Sequence, residues 1–307
     1  MTSLSKATLA PLVYYDLLDR PLTALEIYKY LWAAAPEISF LKFWQDLAIP
    51  NPHWQAADGL YHLTGRAQLL PIRQKRLKLA QLKWRRLLKL TKFLALVPFL
   101  RLVAITGSLT SYNTNFQSDF DLLIIVSDGR LWLSRLLLTG LVGGLGRRRH
   151  GQLTRDRLCL NCYLTEAGLT IDSQAKPHDW HSAQEYGRLT PVLELNPGLY
   201  QKFLAANQWL ADFLKNYPWP ASQSAKQIKP PLVFNWLRNF LEWCLGGAMG
   251  DWLEKNVGQW QTRRIQGKRK NEPADQVFIS DCCLMFHPQS KSYELIKQYE
   301  IKMSQLK

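Results

Sequence analysis

The segment between residues 107 and 126 places two acidic side chains directly before an apolar run, and this pattern constrains the fold more than any other. Residues 122–126 read LLIIV, which predicts a buried β-strand. Alternate side chains of a strand share a face, so Asp119 and Asp121 point to one side and Phe120 to the other. The sequence therefore predicts a sheet with two carboxylates at one end of a buried strand.

Further strand and helix patterns alternate around this strand. Residues 101–107 (RLVAITG) and 157–164 (RLCLNCYL) have the pattern of buried strands, and residues 130–150 have that of a helix that ends in glycines. We therefore predict an α/β fold of the α+β type, with a mixed sheet in a core of residues 99–175. Residues 176–307 are predicted to form a C-terminal helical region.

The first 72 residues have a different organisation. Three short helical patterns are followed by turn residues around Asp58 and Gly59 and by a short alternating strand at 60–63. Three helices followed by a hairpin predict a winged-helix domain over residues 1–72. Such a domain serves either nucleic-acid contact or packing and dimerisation, and the sequence favours neither.

A strongly basic segment connects these two parts. Residues 73–92 contain nine Lys or Arg and no acid, with leucines at helical spacing, which predicts a basic linker helix over 73–98. One interpretation is a helix that contacts the phosphates of nucleic acid. Its candidate nucleic-acid-binding residues are Arg73, Lys75, Arg76, Lys83, Arg85 and Arg86. The alternatives are a solvated basic face with its leucines packed on a neighbouring domain, or a helix on a membrane surface.

The formal net charge of the chain is +15, which favours an anionic partner such as nucleic acid, a nucleotide or a membrane surface. Two carboxylates a few ångström apart suit a hard cation, best Mg²⁺, with Mn²⁺ as the substitute. Gly107 permits close backbone approach, and a helix start with the Ser108 hydroxyl suits a phosphate. This is a layout for phosphoryl or nucleotidyl transfer. The alternative is that the two aspartates cap a neighbouring helix or pair with residues 147–149.

The residues Gly107, Ser108, Ser118, Asp119 and Asp121, followed by LLIIV, resemble the signature of the DNA-polymerase-beta-like nucleotidyltransferase superfamily. The resemblance covers roughly residues 100–172. It implies Mg²⁺-dependent transfer of an NMP from an NTP to a hydroxyl on RNA, DNA, protein or a small molecule. It also implies that Gly107 and Ser108 hold the β- and γ-phosphates, that Ser118 contributes to nucleotide binding, and that Asp119 and Asp121 hold the metal ions.

Many members of that superfamily have a third carboxylate on a later strand. The residue that aligns with it here is Asn161, which we also place in the nucleotide-binding set, and Glu166 or Asp172 are the possible substitutes. The chain is therefore predicted to be an enzyme, with nucleic acid as the favoured acceptor and a protein acceptor as an option. The alternative is a catalytically weak regulator that senses NTP and binds nucleic acid.

The location of the protein is predicted from its cysteines and its apolar runs. Five cysteines, two of them adjacent, do not form a disulfide framework and favour a reducing cytoplasm. The N-terminus lacks the pattern of a signal peptide. The most apolar run, at 131–146, is short for a membrane span and contains Arg135. We predict a cytoplasmic protein without an integral membrane segment, and we interpret Cys159 and Cys162 as core cysteines.

Overall fold

The computed structural model describes residues 3–217, 226–269, 277–286 and 292–306. These ranges contain eleven α-helices, one 3-10 helix and eight strands. The helices are α1 (Ser3–Asp16), α2 (Ala24–Lys29), α3 (Phe40–Leu47), α4 (Leu69–Leu94), α5 (Gly107–Thr110), α6 (Leu131–Gly144), α7 (Trp180–Tyr186), α8 (Leu199–Ala206), α9 (Leu232–Cys244), α10 (Gly247–Arg269) and α11 (Ser292–Gln305). The strands are β1 (Trp54–Ala57), β2 (Leu60–Leu63), β3 (Leu100–Ile105), β4 (Phe120–Val126), β5 (Leu158–Thr165), β6 (Thr190–Glu194), β7 (Val277–Ile279) and β8 (Cys283–Phe286).

The N-terminal unit consists of α1, α2 and α3 followed by the β1–β2 hairpin, in the order that the sequence predicts. The hairpin turns at Asp58 and Gly59, which both have positive φ, as a tight two-residue turn requires. The outer side of α3 is apolar: Leu41 and Trp44 are more than half exposed. Its lysine, Lys42, pairs with Asp46 one turn away. This face lacks the free cations that phosphate contact needs, which favours the packing alternative for this unit.

Six strands form one mixed sheet in the order β6-β3-β4-β5-β8-β7. Strands β4 and β5 run parallel, and every other neighbouring pair is antiparallel. Helices cover both faces of this sheet. The predicted α+β fold is therefore confirmed.

The central strand β4 is buried on both faces. On one face Leu122 belongs to a core with Leu87 of α4 and Leu138 of α6. On the other face Leu123 belongs to a core with Phe203 of α8. This double burial explains why β4 is an unbroken apolar run, and it fixes the position of the two aspartates at its start.

The C-terminal part of the chain contributes strands that the sequence prediction of a helical region misses. β6 pairs with β3, while β8 pairs with β5 and carries β7 on its outer edge. These strands have only three to five residues, too few for a clear period, and both β6 and β8 are stabilised by partners far away in sequence. The core sheet therefore extends beyond the predicted range of 99–175.

The apolar run at 131–146 forms α6, which packs against α10. Glu254 of α10 accepts hydrogen bonds from the backbone N–H groups of Trp132 and Leu133, both at 2.8 Å, and so caps the start of α6. Of the helices in the described ranges, none is both long and apolar enough to cross a membrane.

Candidate functional site

The two aspartates lie at one edge of the sheet, where several strands begin or end together. Ile105, the last residue of β3, pairs with Leu122 of β4 and with Thr190, the first residue of β6. Asp121 pairs with Cys159 near the start of β5. This edge therefore brings together the turn after β3 and the first residues of β4, β5 and β6.

Asp119, Asp121 and Cys159 form a cluster at this edge. One oxygen of each carboxylate and the Cys159 sulfur all lie within 4.8 Å of one another. Burial raises the pKa of Cys159 to about 12, and the charge of Asp121 adds to the effect. Cys159 is therefore a neutral thiol at pH 7 that hydrogen-bonds Asp121, and a neutral thiol is a poor metal ligand. The two carboxylates, which we call the carboxylate pair, are the oxygen donors that could hold a divalent cation.

Gly107 lies directly against this pair. Its φ of +70° is in the left-handed region, and a Cβ built there would be 2.5 Å from Oδ2 of Asp121. The backbone N–H of the preceding residue, Thr106, donates to the carbonyl oxygen of Asp121 at 3.0 Å. Both the conformation and the close approach require glycine at this position.

The environment of Asp121 opposes its charged form. Burial first, and then the charges of Asp119 and Glu185, raise the pKa of Asp121 to about 7, against the opposing effect of Arg149. A buried carboxylate beside a second carboxylate is electrostatically strained, and such perturbed groups cluster at functional sites.

Arg149 partly compensates the negative charge of the two aspartates. Its Nε lies 3.0 Å from Oδ2 of Asp119, although the two groups are not aligned as a hydrogen bond, and its Nη1 donates to the Cys159 sulfur at 3.3 Å. The alternative considered from the sequence, in which the aspartates pair with residues 147–149, therefore holds for Asp119, which pairs with Arg149. Because Arg149 is about one-third exposed, its guanidinium can leave this position without crossing a packed core.

The two predicted serines differ in their availability for a ligand. The Ser108 hydroxyl has no hydrogen-bond partner among the described residues, so it is free to bind a ligand. The Ser118 hydroxyl instead donates to Oδ1 of Asn115 and accepts from the Asn115 backbone N–H. Ser118 therefore closes the loop that leads into Asp119, and its contact with nucleotide stays a prediction.

The position beside Asp121, where the superfamily resemblance implies a third carboxylate, is not occupied by Asn161 as the sequence alignment predicts. Cys159 rather than Asn161 pairs with Asp121, and the register of β4 and β5 shifts directly after that pair. The side-chain Oδ1 of Asn161 is buried and has no partner in the described chain. A bulge of this kind follows from strand pairing and leaves no local sequence signal.

The two substitute carboxylates also lie away from the pair. Glu166 follows Thr165, which pairs with Val126, so it lies at the other end of β4, about 16 Å along the strand from Asp121. It contacts Asn196 and Arg101 there. The exposed Asp172 accepts a hydrogen bond from the Gln174 backbone N–H and is absent from the cluster.

A different carboxylate acts on the site. Glu185 of α7 is the second charge, after Asp119, that raises the pKa of Asp121. Its carboxylate pairs with Lys176 at 2.9 Å. Because α7 leads into β6, which begins at the same sheet edge, the charge of Glu185 acts on Asp121 through a tertiary arrangement that the sequence does not reveal.

Three of the six predicted nucleic-acid-binding residues on α4 are engaged by other groups of the protein. Arg73 pairs with Glu26 at 2.9 Å, and Arg76 donates to the Leu18 carbonyl and to Asn113, both at 3.0 Å. Lys83 is 1% exposed. Its Nζ donates to the Ser118 carbonyl at 2.7 Å and to Asp156 at 2.8 Å. Lys83 cannot reach a phosphate in solution, so this prediction is wrong for Lys83, and Arg73 and Arg76 are already paired.

The other three residues of that set are exposed. The side chains of Lys75 and Arg85 face solvent and form no ion pair within the described chain. Arg86 is half exposed and shares Asp156 with Lys83. The basic face of α4 is therefore partly structural and partly free to meet an anion.

Comparison with known proteins does not assign the chain to a family: no family model, no curated protein and no solved structure matches it.

Replacing Gly107 with Ala tests the close approach of the turn to Asp121. We expect Gly107→Ala to cost about 1–2 kcal/mol for the left-handed conformation and a further ~1–3 kcal/mol for the contact with Asp121. Gly129→Ala is the matched control, because Gly129 has a φ of +65° and open space around its Cβ position. Urea unfolding of both variants gives the difference. Equal losses in the two variants would contradict the predicted contact.

Replacing Asp121 with Asn tests its raised pKa. The folded chain holds the proton of Asp121 up to about pH 7, whereas the ordinary pKa is 3.8. The stability contributed by this proton is complete below pH 4 and is lost as the pH rises through 7. In chelator, the free energy of unfolding of Asp121→Asn should therefore exceed that of the wild type increasingly from pH 4 to 7, reaching at most about 4 kcal/mol. A difference that does not change with pH would refute this assignment.

Proposed function

We propose that the protein is a nucleotidyltransferase that moves an NMP from an NTP to a hydroxyl acceptor, with Mg²⁺ or Mn²⁺. The observation that carries the proposal is the arrangement at the sheet edge. The carboxylate pair meets a glycine turn that leaves no room for a Cβ, and the free Ser108 hydroxyl follows in the same turn. The resemblance of residues 107–126 to the DNA-polymerase-beta-like superfamily supports the same function.

Asp119 and Asp121 are the residues that would hold the divalent cation. The two carboxylates fit a hard cation because their oxygens converge. The pKa of Asp121 is raised to about 7, and a bound cation would stabilise its ionised form. When bound, the cation neutralises charge on the transferring phosphate and on the leaving pyrophosphate. Arg149 competes for Asp119, so it must release that carboxylate when the cation binds. Its guanidinium is then available for a phosphate oxygen.

In the reaction, an acceptor hydroxyl attacks the α-phosphorus of the NTP. A bond forms between the acceptor oxygen and the α-phosphorus, and the bond from the α-phosphorus to the bridging oxygen breaks, which releases pyrophosphate. The proton of the hydroxyl needs a base. The candidate for this role is Glu185, whose charge acts on Asp121. Gly107 and Ser108 would position the triphosphate.

A second candidate function is supported by a specific observation. Asp119 is already paired with Arg149, and the position beside Asp121 holds the neutral thiol of Cys159 rather than a carboxylate. A site of this kind can bind NTP and turn it over slowly. The protein would then be an NTP-sensing regulator that binds nucleic acid.

Labelled nucleotide transfer tests both functions. Purified protein is incubated with Mg²⁺ or Mn²⁺, with each α-labelled NTP, and with RNA, DNA or protein fractions as acceptor. The test variant is Asp119→Asn with Asp121→Asn. The control is Asp128→Asn, because Asp128 follows β4 at the opposite edge and accepts a hydrogen bond from the Ala167 backbone. Glu185→Gln tests the assigned base.

We expect label on the nucleic-acid fraction, at least a 100-fold loss in the double variant, and retained transfer in Asp128→Asn. Transfer of label to the protein fraction would support the nucleotidyltransferase but show that its acceptor is protein rather than nucleic acid. Binding of NTP without transfer, still dependent on the carboxylate pair, would establish the regulator in place of the enzyme. Absence of NTP binding would refute both functions.

A further inference from the structure

A cavity of about 510 Å³ lies beside α4, facing the segment that connects α6 with β5. We call it the basic cavity. It is lined by Arg86, Lys89, Leu90, Arg147, Arg155 and Asp156. Its volume is in the range of small-ligand sites. Four of its six lining side chains are cations and one is an acid, so a ligand that fits it is an anion.

The single acid of the basic cavity is not available to balance these cations. Asp156 accepts from Nζ of the buried Lys83 and from Nη1 of Arg86. These contacts lower the pKa of Asp156 against the effect of its burial. The remaining cations, Lys89, Arg147 and Arg155, form no ion pair in the part of the chain that the structure describes. Their charge is uncompensated by protein groups.

An aromatic ring lies next to these cations. Phe116 is half exposed, and the guanidinium of Arg155 lies 3.5 Å from the centre of its ring. An exposed ring beside a cationic groove is the combination with which proteins bind single-stranded nucleic acid, because bases stack on the ring while cations meet the phosphates. Inorganic polyphosphate would use the cations and leave the ring unused.

One buried side chain and one short segment connect the basic cavity with the carboxylate pair. Lys83, which holds Asp156, also donates to the carbonyl oxygen of Ser118, the residue before Asp119. Arg147 is two residues from Arg149, which pairs with Asp119. A strand bound in the cavity therefore lies next to the loop that carries the carboxylate pair.

We propose that the basic cavity binds the phosphates of single-stranded nucleic acid, with Phe116 stacking on a base. The exposed cations of α4 outside the cavity, Lys75 and Arg85, extend the track along the helix. This inference names single-stranded nucleic acid as the acceptor of the proposed nucleotidyltransferase. Only the role of the bound strand as acceptor rests on the proposed function. Binding itself needs neither the carboxylate pair nor a divalent cation.

The test is fluorescence anisotropy with labelled single-stranded RNA and DNA 20-mers, full-length protein and EDTA, over a series of salt concentrations. The cavity variant is Lys89→Ala with Arg147→Ala. The control is Lys6→Ala with Lys202→Ala, which removes the same charge from exposed lysines outside the cavity. Phe116→Ala tests stacking, with the exposed Leu153→Ala as its control. Thermal unfolding confirms that each variant is folded.

We expect the cavity variant to weaken binding at least about tenfold and to reduce the salt slope by about 1.4, which corresponds to two phosphate contacts on a single strand. Phe116→Ala should weaken binding without a change in slope, and both controls should bind as the wild type does. Equal losses in the cavity variant and in its lysine control would overturn the site. Competition by inorganic polyphosphate as strong as by RNA, phosphate for phosphate, would overturn nucleic acid as the ligand.

The same assay separates this inference from the proposed function. Asp119→Asn with Asp121→Asn should bind RNA in EDTA as the wild type does. A protein that binds RNA through the cavity but transfers no nucleotide would support the cavity and refute the enzyme. A protein that transfers nucleotide to RNA but binds it equally well without Lys89 and Arg147 would refute the cavity alone.

Discussion

The repulsion between Asp119 and Asp121 is the constraint on which the rest of the site depends. The buried strand β4 fixes both carboxylates at the sheet edge, and burial raises the pKa of Asp121 to about 7. The protein relieves the repulsion with Arg149, a partly exposed side chain that pairs with Asp119. A more stable arrangement would replace one aspartate with a neutral residue. The strain of this pair is the physical reason for proposing that the site binds a cation.

The loop that carries Asp119 is held by a second electrostatic arrangement. Lys83 is buried and bonded to the Ser118 carbonyl and to Asp156, which also binds Arg86. Removing one partner of such a buried pair typically costs about 3–5 kcal/mol, because the other charge is left without compensation. One part of the basic helix α4 therefore builds the site, while its exposed cations either line the basic cavity or face solvent. This division accounts for a helix with many cations and no acids better than nucleic-acid contact alone.

The sequence predicts the local features of this structure well and the long-range ones poorly. The apolar runs of β3, β4 and β5 and the turn at Asp58 and Gly59 have clear periods or turn residues, and each element is present. The pairing that places Cys159 rather than Asn161 beside Asp121, and the register shift that follows it, depend on contact between strands, so no local pattern indicates them. The burial of Lys83 and the approach of Glu185 likewise depend on chain packing across distant segments. Short strands such as β6 form only because β3 offers an edge.

Both functions considered for this site require that the carboxylate pair exchanges Arg149 for a divalent cation. The most direct measurement is a crystal structure with Mn²⁺ and a non-hydrolysable NTP, in which anomalous scattering locates the metal. We predict an anomalous peak within coordination distance of Asp119 and Asp121, with the Arg149 guanidinium moved away from Asp119 and the triphosphate next to Gly107 and Ser108. An unchanged pair between Arg149 and Asp119, with no metal at the carboxylates, would contradict the account.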